Sequence, residues 1–365
     1  MRLHYLLLLL LLLLLPGLSP GVSAGQAVPR TDTPRAGTLR VSFEPVITTW
    51  SAVYTPAGRR PLGASLPAPA FAHLEQRLTP LGFEFGLTDR IAVAARIPLA
   101  RVASRVGYSP DSTADSAKAA LDSLLADTTY AFDPIGNTRR GLRYFPGDAE
   151  LALKVRFGDG GGPYAAAAQI LFRLPTGHLD SPHNLFDVPA GDHQSDVELS
   201  LIQELTLAHH LWLNLSVRAA QQRRGMRARR VAPQDSLLVP HATTVLLDWN
   251  PGDYVAVDCA PLLRITPHFG VGVTAGYFTK ARDRYRFAST ADSVALATRL
   301  GAPRSASVLN AGTSERRVRL GVAVTYAGPD MEGGMSIEQT VSGAGGLIPV
   351  ATVFRIVLRT TRWPF

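Results

Sequence analysis

The sequence predicts an all-β fold, an antiparallel transmembrane β-barrel of about twelve strands with short periplasmic turns and long extracellular loops. Three observations support this prediction. Apolar and polar residues alternate along many segments, short and long connections alternate between those segments, and the chain begins with the pattern of an export signal. Successive side chains of a strand point to opposite faces, so alternation supplies one apolar face for lipid and one polar face for a lumen.

The N-terminus predicts a cleaved signal peptide over residues 1–24. Arg2 supplies the positive charge, leucines fill positions 6–15, and Val22-Ser23-Ala24 offers the small residues that precede a cleavage site. The alternative is an uncleaved anchor helix, but the apolar run is shorter than the ~20 residues that span a bilayer. We therefore expect a flexible N-terminal segment over 25–37 and a single barrel domain over 38–365.

Alternation is clearest in 150–157, where apolar residues from Leu151 to Phe157 alternate with Glu150, Lys154 and Arg156. This period of two is typical of a strand with two different faces. The same pattern predicts strands near 39–54, 70–87, 90–105, 147–157, 163–175, 195–207, 210–220, 253–264, 268–280, 315–327, 333–342 and 349–360. Residues 243–249 fit a separate strand, a hairpin within a loop or the top of a longer strand, which leaves the count open by two.

The connections separate a membrane barrel from a soluble sandwich, whose strands also alternate. Short turns are predicted at 88–89, 158–162, 208–210, 266–267 and 328–332. Long loops are predicted at about 55–69, 107–146, 176–194, 221–252 and 281–314, with a shorter one near 343–348. Outer-membrane barrels place short turns in the periplasm and long loops outside, whereas a sandwich has no reason to keep that order.

Composition agrees with an exported barrel. The 365 residues are 46% hydrophobic and 18% charged, with a single cysteine, Cys259, so an intramolecular disulfide is excluded. No apolar run after Leu15 is long enough for a transmembrane helix. Trp363 and Phe365 follow an amphipathic segment and look like the signal read by the barrel-assembly machinery. We expect that machinery and outer-membrane lipids as partners, and the bacterial outer membrane as the location.

The polar face of the strands predicts a charged lumen. We expect these residues to line it: Arg40, Glu84, Arg96, Glu150, Lys154, Arg156, Asp196, Glu198, Arg218, Arg264, Arg317, Arg319, Glu338 and Arg355. Such charges set selectivity in an open pore. The alternative is a network of ion pairs that plugs the barrel, because twelve strands lie between filled barrels of about eight and open ones of sixteen or more.

Two charged loops offer weaker signals. Residues 223–230 hold five arginines, which fits either a solvated loop, the interpretation we favour, or contact with lipid phosphates and anionic solutes. They lack the aromatic residues that stack nucleic-acid bases, so no nucleic-acid partner is expected. Residues 178–196 are rich in His and Asp, which could hold a divalent cation, but their spacing matches no metal motif. We interpret them as an ordinary polar loop and predict no metal, cofactor or catalytic residue.

Two long loops share the string Ser-Thr-Ala-Asp-Ser, at 112–116 and 289–293. Each string precedes a short helical pattern, at 118–126 and 294–300, and Ser, Thr and Asp are common helix caps. We expect lid helices at the outer rim, one of which could fold into the pore as a constriction.

Several hairpins resemble a broad group of outer-membrane barrels that includes the transporters associated with the phenol-degradation MetA pathway. The resemblance lies in Glu84–Pro98, Gly147–Phe157, Phe172–Gly177 and Leu263–Gly270. The resemblance covers most of the mature chain and consists of similar hairpins. It includes no catalytic motif, and it implies the fold and the location but no substrate.

The expected function is a channel or transporter for small solutes. One alternative is a structural or surface-binding barrel with a plugged lumen. The other is an outer-membrane lipid-modifying enzyme, which needs a nucleophile beside a base. Ser181 and His183 are neighbours in a loop, but nothing around them supplies the context of a nucleophile.

Overall fold

A computed structural model describes residues 30–66, 70–108, 115–132, 144–158, 162–183, 185–186, 188–208, 210–233, 236, 238–266, 268–328 and 331–360. The predicted signal peptide and the predicted assembly signal at Trp363 and Phe365 lie outside the described residues. Among the helices of the described ranges, none has the length and apolar character needed to cross a membrane.

Strands dominate the described chain, with two helices in the long loops. In chain order the strands are β1 (Leu39–Phe43), β2 (Val46–Trp50), β3 (Ala52–Thr55), β4 (Gly58–Pro61), β5 (Ala70–Gly86), β6 (Ile91–Tyr108), β7 (Tyr144–Pro146), β8 (Glu150–Phe157), β9 (Tyr164–Arg173), β10 (Asp196–Ala208), β11 (Leu211–Gln222), β12 (Gly225–Arg230), β13 (Thr244–Asn250), β14 (Tyr254–Arg264), β15 (Phe269–Lys280), β16 (Arg284–Phe287), β17 (Thr313–Ala327), β18 (Met331–Gly346), β19 (Ile348–Pro349) and β20 (Thr352–Thr360). The helices are α1 (Asp115–Ala126) and α2 (Thr290–Leu300).

Neighbouring strands pair antiparallel in chain order, and the sheet closes on itself. β1 and β2 together form one strand position, as do β7 and β8, which both pair with β6. Closure comes from β20, whose Leu358 faces Phe43 of β1 and whose Arg355 faces Val46 of β2. The ring therefore has twelve strand positions, and the predicted fold class and strand count are confirmed. A closed ring leaves no unpaired edge, as a strand-built membrane protein requires.

The two faces of the ring differ as the alternation predicts. Outward-facing apolar side chains stay uncovered by the protein, among them Leu199, Val273 and Val322, which are 57%, 54% and 56% exposed. Inward-facing polar side chains such as Asn214 and Ser216 are buried. This arrangement is the reverse of a soluble protein and matches a lipid-facing exterior around a polar interior.

Two small sheets extend the barrel beyond its rim. β12, β13 and β16 form one of them, and β3, β4 and β19 form the other. The segment 243–249, whose assignment the sequence left open, therefore supplies β13 of an outer sheet and no barrel strand.

Helix α2 covers the sheet of β12, β13 and β16. It begins after Ser289, whose hydroxyl accepts the Asp292 N–H at 3.2 Å, and ends at Gly301 in the left-handed region at φ 68°. Its Leu296 is fully buried against Leu247 and Trp249. Both predicted helices are present, and α2 packs on the sheet of β12, β13 and β16 rather than inside the lumen.

Candidate functional site

The barrel encloses two adjoining cavities of about 690 and 710 Å³. The inner cavity reaches Arg40, Glu84 and Lys154 near the short turns, and the outer cavity reaches Lys280 and Arg317 near the long loops. Residues that border both cavities are Leu78, Arg173, Asp192, Arg218, Arg227, Asp258 and Arg355. The two cavities therefore adjoin each other, and both have charged walls.

The end of this space near the short turns is crossed by residues 30–36, which we call the N-terminal strap. Arg30 is 5% exposed and forms ion pairs with Glu204 of β10, at 3.8 Å, and with Glu332 of β18. Thr31 is fully buried, and its hydroxyl donates to Glu204 at 2.9 Å. β10 and β18 lie five strand positions apart in the ring of twelve. The strap thus spans the lumen from one wall to nearly the opposite one.

Asp32 fixes the strap to the wall that contains β1, β5 and β8. Its carboxylate accepts from Arg40 at 2.5 Å, and its carbonyl oxygen accepts from Lys154 at 2.6 Å. Both cations also contact Glu84, at 3.0 and 3.4 Å. Burial alone would raise the pKa of Asp32, but Arg30, Arg40 and Lys154 hold it well below its usual value. The carboxylate therefore stays charged, as its three cationic neighbours require.

The other end of the strap is held at the turn between β5 and β6. Asp89 accepts the Ala36 N–H through its side chain at 2.9 Å and the Thr33 hydroxyl through its carbonyl at 2.8 Å. A methyl group on Gly86 would lie 2.2 Å from the Arg35 carbonyl oxygen. Glycine at 86 is what allows the strap to pass this close to β5. The segment 25–37, which the sequence predicts to be flexible, thus has its described residues in contact with the barrel.

A second segment enters the lumen from the other end. We call the described residues of this segment, 177–183, 185–186 and 188–192, the inward loop, because residues 189–192 line the inner cavity. Gln76 of β5 donates to the Pro189 carbonyl oxygen at 2.8 Å, and Phe186 and Val188 are buried against Leu74. A loop therefore narrows the inner cavity from this end, and Leu124 and Leu125 of α1 pack against the same apolar cluster.

The two ends of the inward loop meet at a narrow neck. The Asp148 carboxylate accepts the Gly177 N–H at 2.7 Å and the Asp192 N–H at 2.8 Å. A methyl group on Gly191 would lie 2.4 Å from an Asp148 oxygen and 2.9 Å from the Gly177 Cα. One buried carboxylate thus holds both ends of the loop, and the close approach needs glycine on each side.

Asp192 places a second carboxyl beside that neck. Its side chain accepts from Gln222 at 3.4 Å. Burial raises the pKa of Asp192 to about 7, and the neighbouring carboxylates of Asp196 and Asp148 contribute in the same direction. Arg173 opposes the shift. The group therefore changes charge near neutral pH, unlike an ordinary surface aspartate.

The segment 178–196 could have held a cation, but two of its carboxylates pair with arginines instead. Asp180 binds Arg229 at 2.8 Å and also contacts Arg227, while Asp196 binds Arg173 at 2.9 Å. Within the described ranges, no group of three or more His, Cys, Asp or Glu is arranged to hold a metal ion. Asp187 of this segment lies outside the described residues.

The arginine-rich stretch 223–230 is only in part the solvated loop that we favoured. Arg223 and Arg224 are exposed, but residues 225–230 form β12. Arg227 is only 8% exposed, with its guanidinium 4.6 Å from the centre of the Trp249 ring. The correction has a structural reason. Strand β13 supplies the pairing partner for β12, and Asp180 supplies the charge partner, and neither contact is visible locally in the sequence.

The predicted lumen residues fall into two groups. Those that border a cavity are Arg40, Glu84, Arg96, Glu150, Lys154, Arg218, Arg317, Arg319, Glu338 and Arg355. Those that border neither are Arg156, Asp196, Glu198 and Arg264. Glu198 accepts a hydrogen bond from Tyr254, and Arg264 stacks 4.0 Å from the centre of the Trp212 ring. Sequence reasoning missed the strap and the neck, which no local pattern marks.

Comparison with known proteins supports the fold and goes no further. No family model matches the chain, and no curated protein matches it. Among solved structures, the COG4313 outer membrane channel from Pseudomonas putida F1 gives a TM-score of 0.57 at 10% identity, covering 91% of this chain and 98% of that one. The TodX deltaS2S3 mutant monoaromatic hydrocarbon channel gives 0.38 at 11% identity, covering 95% and 97%. The protein is a closed, twelve-stranded transmembrane β-barrel.

Proposed function

We propose that the protein is an outer-membrane channel for small polar solutes, narrowed by the N-terminal strap at one end and by the inward loop at the other. The observation that carries this proposal is the pair of adjoining, charge-lined cavities inside a closed barrel. Each cavity has the size of a small-molecule site. A lumen built only for stability would be filled with side chains instead.

The outer-membrane location is part of the same proposal. The apolar outer face supports it, and so does the likeness in fold to a protein described as an outer membrane channel. The hairpin-level resemblance to transporters associated with the phenol-degradation MetA pathway supports transport in general. It names no substrate for this chain.

A plugged structural barrel is the second candidate, because the strap crosses the lumen. The ion pairs of Arg30 with Glu204 and Glu332 favour it, since they hold the strap across the passage. The two candidates differ in one respect. A channel must conduct, at least when the strap is released, whereas a plugged barrel stays silent.

We infer passage rather than catalysis for the lumen. Ser181 accepts the His183 N–H at 3.2 Å, a contact within a single turn, and the His183 ring lies 4.9 Å from the His241 ring. Neither of these two contacts is the bond between a hydroxyl and an imidazole side chain that activates a serine nucleophile.

Single-channel recording tests the proposal. The mature protein would be folded in detergent, inserted into planar bilayers and studied in potassium chloride, with circular dichroism as the check on folding. Stepwise currents are expected. Silence from folded wild-type protein and from a variant with a released strap would contradict the channel and favour the plugged barrel.

A further inference from the structure

The outer cavity has an excess of positive charge. Eight Arg and Lys side chains line it, against four Asp and Glu, counted over the described part of the chain. Among the four, Asp283 is already bound to Lys280 at 2.7 Å, and Glu315 to Arg317 at 2.9 Å. The surface of the cavity therefore presents more cations than anions, although Asp180, Asp196 and Glu338 pair with Arg227, Arg173 and Arg319 from outside this lining.

Asp258 is shared by two arginines of the cavity wall. It accepts from Arg218 of β11 at 2.8 Å and from Arg319 of β17 at 3.4 Å. Arg319 reaches it across β15, where Gly276 has no side chain; a methyl group there would lie 3.0 Å from Asp258 and 3.3 Å from Arg319. Two guanidinium groups thus share one carboxylate within the cavity, although Arg319 also lies 3.5 Å from Glu338.

Arg317 adds a third cation on the same face of β17. Its guanidinium lies 4.4 Å from the centre of the Phe278 ring, and that ring is 5.3 Å from the Tyr254 ring. Residues two apart in a strand share a face with Cα atoms about 7 Å apart, so Arg317 and Arg319 present two separate forks to the cavity. An arginine fork binds a carboxylate through two parallel hydrogen bonds.

We propose that the outer cavity binds a small organic dicarboxylate, with Arg218, Arg317 and Arg319 as its recognition residues. The inference rests on the proposed channel function and gives it a substrate class. One carboxylate of the solute engages Arg319 beside Arg218, and the other engages Arg317. The carboxylates of the solute compete with Asp258 and Glu338 for Arg319, and with Glu315 for Arg317.

Equilibrium binding tests this site without any need for a current. Succinate would be titrated calorimetrically into the folded full chain in detergent, with succinamide as the neutral probe of the same length. Saturable binding of succinate and none of succinamide is expected. Arg319→Gln should weaken succinate binding by about tenfold, the effect of losing one charge-assisted hydrogen bond. Arg304→Gln, at an exposed position that does not line the cavity, removes the same charge and should leave affinity unchanged.

Asp258→Asn should change the affinity for succinate in the opposite direction, which a general folding defect would not do. It removes the carboxylate that competes with the solute, so succinate should bind more tightly than to the wild type. Absence of succinate binding to folded wild-type protein, equal binding of succinamide, or weaker binding to Asp258→Asn would each overturn the site. A barrel that conducts but does not bind succinate overturns this inference alone. A barrel that binds succinate but never conducts keeps the site and overturns the channel.

Discussion

The carboxylate of Asp148 accepts the backbone N–H of Asp192 at 2.8 Å and so closes the neck of the inward loop. The same carboxylate accepts the Gly177 N–H at the other side of the neck. A loop whose ends are held by one buried group responds as a unit. Changes at the neck should therefore alter the whole constriction rather than a single contact.

Gly191→Ala is expected to displace the inward loop, because the new methyl group would lie 2.4 Å from Asp148. Overpacking of this kind costs about 1–3 kcal/mol of folding free energy. Gly333→Ala is the matched control, since its methyl group would make ordinary contacts at 3.4 Å. Chemical unfolding should show the loss only in Gly191→Ala, and single-channel recording should show larger or noisier currents. Equal stability and equal currents in the two variants would show that the contact at the neck does not hold the inward loop.

The inward loop should respond to pH through Asp192. Its pKa in the folded protein, about 7, lies above its usual value, so the neck is most stable where the carboxyl is protonated. That stability is present below pH about 4 and is lost as the pH rises through about 7. Asp148 and Asp196 face the ionised group, and Arg173 compensates in part.

Single-channel conductance should therefore rise between pH about 5 and 8, with a midpoint near 7. Asp192→Asn stays neutral throughout and should give a nearly flat profile over the same range. The measurement is a pH series in planar bilayers with both proteins. If the two profiles coincide, the titrating group lies elsewhere.

The membrane location can be tested on the outer face of the barrel. Val273 of β15 is 54% exposed, and Val294 of α2 is 59% exposed, so the two differ mainly in their surroundings. Val273→Arg should cost about 2–4 kcal/mol for unfolding from lipid vesicles if the position faces hydrocarbon. Val294→Arg, outside the barrel wall, should be nearly neutral. An unchanged free energy of unfolding for Val273→Arg would indicate that this surface faces water.

Alternation made the barrel predictable from the sequence. Positions such as Leu151 and Lys154 show their faces locally, since the side-chain period of a strand is two, and the twelve strand positions follow. Turn and loop lengths then fix which ends of the strands lie together. The fold class needed no long-range information.

The constrictions were not predictable in this way. Arg30 meets Glu332 across about 300 residues of sequence, and Asp148 meets Gly177 and Asp192 across loops whose paths no local pattern fixes. The same holds for β12. Its sequence alone predicts a solvated loop, because its strand partner β13 and its charge partner Asp180 are distant in the sequence. Such contacts depend on closure of the ring, and local residue patterns cannot reveal them.

The most direct test of the central claim compares single-channel currents of the wild type, Arg30→Ala and Arg35→Ala. Arg30 holds the strap across the lumen, whereas Arg35 belongs to the same strap but is exposed. Loss of Arg30 leaves Glu204 and Glu332 without this partner, at a cost of about 3 kcal/mol or more, and frees the passage. We expect a larger conductance for Arg30→Ala and wild-type conductance for Arg35→Ala. If the wild type and both variants fold and show the same conductance, or none, the strap does not narrow a conducting lumen.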